Sequence, residues 1–114
     1  MIKDLDTPVL DLDGEQVIDR VKGVDRPATV KNFIVNALAL VNSEQVTGEE
    51  KMKRYKLAMR LNEGGEQEFT PEDLVLIKSV VATMYSPLIV GQVYDWADND
   101  YAEVIQDGRR DSGH

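Results

Sequence analysis

Between Thr29 and Asn42 the apolar residues Val30, Phe33, Ile34, Ala37, Leu38 and Val41 recur at steps of one, three and four, which places all of them on one helical stripe. That spacing predicts a helix over residues 30–42 with Thr29 as its cap. A second helix is predicted over residues 48–63. It opens on Thr47-x-x-Glu50, a capping-box spacing, and closes on Gly64-Gly65, with Met52, Tyr55, Ala58, Met59 and Asn62 marking one face. The third, over residues 71–85, begins at Thr70-Pro71-Glu72-Asp73: a capping hydroxyl, a proline whose missing N–H costs nothing at that position, and two acids near the positive end of the helix dipole. Leu74, Ile77, Val81, Met84 and Leu88 continue its stripe. Pro87 must interrupt it, because proline removes a hydrogen bond and crowds the preceding turn. Ser86 is then expected to cap a fourth helix over residues 87–97.

The first 27 residues follow a different period. Pro8 to Leu12 and Glu15 to Ile18 flank Asp13-Gly14, and Asp-Gly accepts tight-turn backbone angles, so a β-hairpin is predicted over residues 8–19. Arg20 to Pro27 reads as a loop. The expected architecture is mainly α (α+β): an N-terminal hairpin followed by a bundle of about four helices, in one domain over residues 1–107. A short turn or helix is expected from Tyr101 to Ile105, and residues 108–114 are expected to be disordered.

The stretch YSPLIVGQVYDWADNDYAEVI, residues 85–105, holds four of the seven aromatic residues. With Leu88 and Ile89 on one side and Val90, Val93, Tyr94 and Ala97 on another, the fourth helix is apolar round most of its circumference. Such a helix is either central or covered by something else. Core packing in a single chain is one account; a contact surface is the other. On the second, partner binding falls to Leu88, Val93, Tyr94, Trp96, Asp98, Asp100 and Tyr101.

Composition narrows the chemistry. The chain has 114 residues, 42% hydrophobic and 30% charged, the balance of one globular domain. No apolar run approaches the roughly 20 residues of a membrane span, and Met-Ile-Lys-Asp is followed by no apolar leader core, which makes a cytoplasmic location the expectation. There is no cysteine, and the single histidine is His114, so thiolate chemistry, Cys-based metal sites and a histidine triad have no residues to use. Net charge is −8, with five acids and no base in residues 95–107, which disfavours a phosphate backbone as partner.

The remaining constellations have plain explanations. Asp11-x-Asp13-Gly14 lacks the alternating ligands and distal glutamate of a calcium loop and reads as turn chemistry. Asp98-Asn99-Asp100 with Glu103 shows no ligand order. Lys51, Lys53, Arg54, Lys56 and Arg60 form a basic strip on the second helix, read as a solvated face because Glu49–Lys53 and Glu50–Arg54 are favourable i,i+4 pairs. Asp95, between Tyr94 and Trp96, is the acid nearest to an apolar context, but acid–base work also needs a pocket that perturbs its pKa, which the sequence does not indicate. Gly64-Gly65 and Gly91 match no phosphate-cradling loop. No catalytic, cofactor-binding or metal residue is therefore expected.

The segments TPVLDLDGE, ATVKNFIVNALAL, GEEKMKRYKLAMRLNEGGE and FTPEDLVLIKSVVATMYSPLIVGQVYDW, in that order over residues 7–96, resemble small acidic helical proteins of tailed bacteriophages and prophages. The nearest functional class is the tail assembly chaperones, which also open with a short strand and continue as helices. The resemblance implies a non-enzymatic accessory protein in a bacterial host cytoplasm that binds another phage or host protein or a second copy of itself. The acidic run 95–107 leaves an alternative open: an inhibitor or regulator that mimics phosphates to bind a nucleic-acid-handling protein.

Overall fold

Four helices follow an N-terminal β region in the computed structural model, which describes residues 1–42 and 45–99. The elements run β1 (Ile2–Asp4), β2 (Ile18–Val21), β3 (Val24–Pro27), α1 (Val30–Leu40), α2 (Gly48–Leu61), β4 (Glu66–Glu68), α3 (Pro71–Met84) and α4 (Pro87–Asp98). Helix boundaries follow the local chemistry. At α3, Asp73 N–H donates to Thr70 Oγ1 at 3.1 Å and Thr70 N–H donates back to the Asp73 carboxylate at 3.0 Å, so two otherwise orphaned amides are satisfied. At α2, Thr47 Oγ1 accepts from Glu50 N–H at 3.1 Å, and the Glu50 side chain points on to Arg54. Ser86 holds the N-cap position of α4 without a side-chain bond; its carbonyl accepts from Ile89 and Val90.

α1 is the hub, packed against α2 and α3 and touching α4, and it buries Val30, Ile34, Ala37 and Leu38. α3 contributes Leu74, Ile77, Val80 and Val81 to the same core, while Met84, which the stripe assigns inward, is exposed. Tyr85 closes the α3–α4 corner edge-on against Phe33, with ring centroids 5.1 Å apart. Burial pushes its phenol pKa above the ordinary value, against the lowering effect of a side-chain hydrogen bond with Asn36.

The β region departs from the sequence reading in two places. A hairpin not expected from sequence pairs Ile18–Val21 with Val24–Pro27, so Arg20–Pro27 is not a loop. The expected hairpin over residues 8–19 is reduced to short antiparallel pairing, with Val17 N–H donating to Val9 O at 2.8 Å and Asp11 N–H to Glu15 O at 2.7 Å. A two-residue type I′ turn needs two positive φ angles. Lys22 and Gly23 supply them at 53° and 79°, whereas only Gly14 is left-handed in Asp13-Gly14. The register then sets Asp19 opposite Arg26 and Arg20 opposite Asp25, with Arg20 Nε 2.8 Å from Asp25 Oδ1. Around Asp13-Gly14 there remains one bridge, Leu10 to Gln16, with the Asp11 carboxylate accepting from the Asp13 and Glu15 amides.

The second departure is a sheet with no sequence signal. β1 pairs antiparallel with β4, Ile2 opposite Glu68 and Asp4 opposite Glu66. Leu5 N–H donates to Gly65 O at 2.9 Å and Phe69 N–H to Met1 O at 2.7 Å, extending the ladder at both ends. Tyr101–Ile105 and residues 108–114 lie outside the described residues.

Two stability tests follow. Gly64 has φ +76°, and a Cβ there would stand 3.0 Å from Asp6 Oδ1; Gly65 has φ +72° with open space around it. Gly65→Ala should cost about 1–2 kcal/mol from the left-handed backbone alone, and Gly64→Ala should cost more, in denaturant unfolding of each variant. Because the Tyr85 phenol holds its proton more tightly in the fold than in the unfolded chain, stability should fall as pH rises above about 10. Tyr85→Phe should flatten that part of the stability–pH curve.

Candidate partner-binding surface

α4 is the first place to look, and its apolar side is enclosed. Val93 is fully buried and Trp96 is 8% exposed, with Ile89 and Ala97 beside them. The Trp96 ring meets Phe69 edge-on at 5.3 Å, and its Nε1–H donates to Asp4 O at 2.9 Å. Gln92 clamps the N-terminal segment to the helix: its Oε1 accepts from Leu10 N–H at 2.8 Å, and its Nε2 donates to Leu10 O at 2.7 Å. Leu5 and Val9, both fully buried, fill the space behind. The cover that four helices alone do not supply comes from residues 1–17.

Val93 and Trp96 are therefore core residues of a single chain, a correction to their assignment as partner contacts. Leu88 and Tyr94 are half-buried, and Lys78 Nζ lies 5.1 Å from the centre of the Tyr94 ring. Asp98 pairs with the same Lys78, which takes up its charge within the fold. Asp95 is exposed. The buried Lys3 ammonium donates to the Asn99 carbonyl and so fastens the end of α4 to β1. Asp100 and Tyr101 lie outside the described residues.

Large apolar side chains are exposed at scattered positions such as Leu12, Ile18, Val24, Leu40 and Val75, and α2 carries three of them in one row. Leu57, Ala58 and Leu61 turn inward, with Arg54 half-buried beside them. Met52, Tyr55 and Met59, which the sequence reading groups on one face with Ala58, are 52%, 57% and 57% exposed, whereas Ala58 is buried. They form a ridge at i, i+3 and i+7 opposite the buried side. The signal was present in sequence as a second stripe: Leu57, Ala58 and Leu61 are also at helical spacing, and a helix with two apolar stripes can bury only one against α1.

Cations flank this ridge. Residues 51–60 hold five bases and no acid. Arg60 is engaged, 3.5 Å from the Asp73 carboxylate, bonded to Glu68 O at 3.3 Å and lying over the Phe69 ring. Arg54 lies 3.9 Å from Glu50, and its buried Nε makes no hydrogen bond within the described residues. Lys51, Lys53 and Lys56 form no ion pair among the described residues. Beside the ridge, between α2 and α3, runs a groove of about 720 Å³ walled by Lys53, Arg54 and Lys56 with Leu57, Val75 and Leu76 as its apolar lining.

Among the described residues no three acid or histidine side chains converge as metal ligands, and no helix is long and apolar enough to cross a membrane. Comparison of the chain with protein-family models, with curated proteins and with solved structures gives no match.

The placement of Trp96 sets a clear expectation. Trp96→Ala should destabilise the chain by about 3–5 kcal/mol, the usual range for an emptied aromatic core site. Trp96→Phe keeps a ring against Phe69 and loses only the indole bond to Asp4 O, which still accepts from the Thr7 hydroxyl and amide, so it should cost about 0.5–1.5 kcal/mol. Denaturant unfolding of both variants checks the order, which an exposed contact residue would not produce.

Proposed function

We propose that this chain acts by binding another protein and not by catalysis, as an accessory protein of a tailed phage or prophage working in the host cytoplasm during virion, and particularly tail, assembly. The phage assignment is supported by the ordered resemblance of residues 7–96. The binding assignment is carried by one observation: three large side chains, Met52, Tyr55 and Met59, stand more than half exposed in a row on a helix whose other side is already packed. Tyrosine is rigid and amphipathic and methionine adapts to irregular partners, so the row suits a protein contact. Fully burying each such side chain is worth about 1.5–3 kcal/mol, and roughly half of that is still unrealised here. Phosphate mimicry by the acidic run has less support, since Lys78 already holds Asp98.

The test is photo-crosslinking in phage-producing cells, with a photoreactive residue at position 55 and a control at Leu12, which is 92% exposed. A discrete adduct at 55 that is absent at 12, and that disappears when Met52 and Met59 are changed to serine, is the expected result. Equal labelling at both positions, or an adduct indifferent to the serine changes, would overturn the assignment. Circular dichroism of the serine variant should match the parent, because both methionines are exposed.

A further inference from the structure

We infer that the outer face of α2 receives an acidic amphipathic helix of a partner protein, seated on Met52, Tyr55 and Met59 with its carboxylates against Lys51 on one side and Lys53 and Lys56 on the other. The inference deepens the proposal above and rests on α2 being the contact surface.

Charge decides the occupant. The chain as a whole carries −8, yet α2 presents five bases between residues 51 and 60 without an intervening acid. Three of these bases, Lys51, Lys53 and Lys56, have no ion pair among the described residues. Of the acids lining the adjoining groove, Glu50 stands beside Arg54 and Asp73 holds Arg60 and caps α3, while Glu72 is exposed. An acidic partner is thus repelled by most of the surface and attracted here, which fixes where it docks as well as how tightly. A basic partner meets the reverse. The apolar row runs along the helix axis at i, i+3 and i+7, the spacing that a second helix matches with its own seam.

A second copy fits the same face poorly. Packed antiparallel with Met52 of one chain against Met59 of the other, it would bring Lys53 and Lys56 toward the same two cations of its mate, with Glu49 as the one acid on that flank and Arg60 already held by Asp73. Like charges so placed work against the contact.

Two synthetic amphipathic peptides with the same leucine seam, one flanked by glutamate and one by lysine, test this against the full chain by fluorescence anisotropy, with amide shifts locating the contact. At low salt the glutamate peptide should bind about tenfold more tightly, as a few partly exposed ion pairs allow. That advantage should shrink at high salt. The variant Lys51→Gln, Lys53→Gln, Lys56→Gln should lose the advantage at unchanged melting temperature, since all three side chains are exposed. Equal binding of both peptides, an advantage that survives the glutamine changes, amide shifts away from α2, or no binding at all would overturn the inference. If both peptides bind equally and Tyr55→Ser still abolishes binding, α2 remains the contact surface and only its acid preference is lost; if neither binds and position 55 gives no cross-link, both readings fall. Two further outcomes also overturn it by naming another occupant. One is a dimer in light scattering that Tyr55→Asp dissociates. The other is tighter glutamate-peptide binding after Asp100→Asn, Glu103→Gln and Asp107→Asn, which would make the chain's own acidic segment the competitor.

Discussion

The indole of Trp96 is the point where three stretches far apart in sequence are tied together. Its N–H satisfies the Asp4 carbonyl, its ring stands on Phe69 next to β4, and its backbone belongs to α4. A small chain has little surplus core, so an apolar helix that the other helices cannot enclose needs cover from elsewhere. Here the cover is the N-terminal segment, with Leu5 and Val9 as its buried plugs and the Gln92 amide holding Leu10 at both its N–H and C=O. Because a buried carbonyl without a donor is costly, the segment is fixed in position by hydrogen bonds as well as by apolar contact.

Much of this was legible in the sequence, and the rest was not, for identifiable reasons. α1, α3 and α4 were marked by local chemistry: the stripe from Val30 to Val41, the reciprocal cap of Thr70 and Asp73, and Pro87, whose missing N–H sets a helix start. Signals within one or two turns survive into the fold. β1 and β4 have three residues each and are paired across more than sixty positions, which is too short for an alternation pattern to show. The strand pairing is longer around Lys22-Gly23 than around Asp13-Gly14 because, although both contain a turn glycine, only the former pair takes two left-handed conformations. The inward side of α2 was not legible because its two stripes are similarly apolar, and only the neighbouring helices decide between them.

That last point reverses the expected location of the contact surface. The richest apolar sequence, residues 87–97, turns out to be interior, and the lysine-flanked helix that reads as a solvated face carries three uncovered side chains in one row. Apolar density along a chain says how much must be hidden somewhere. It does not say by what, and in this fold the N-terminal residues had the first claim on α4. The basic strip changes meaning once Met52, Tyr55 and Met59 are seen between its lysines, because cations bordering an apolar row select among partners where cations alone would only solvate.

The pairing of β1 with β4 also orders events during synthesis. Residues 2–4 leave the ribosome before the elements they pack against, yet their hydrogen-bonding edge is not made until Glu66–Glu68 emerges, and the indole that donates to the Asp4 carbonyl comes later still. Until then residues 5–9 have backbone partners at 28–31, through Val9 N–H to Ala28 O, Val30 N–H to Thr7 O and Lys31 N–H to Leu5 O, and closing the longer loop to β4 carries an entropic cost that helix formation does not. The helices can form in the order they appear; β1 finds its partner strand only after α2 is complete.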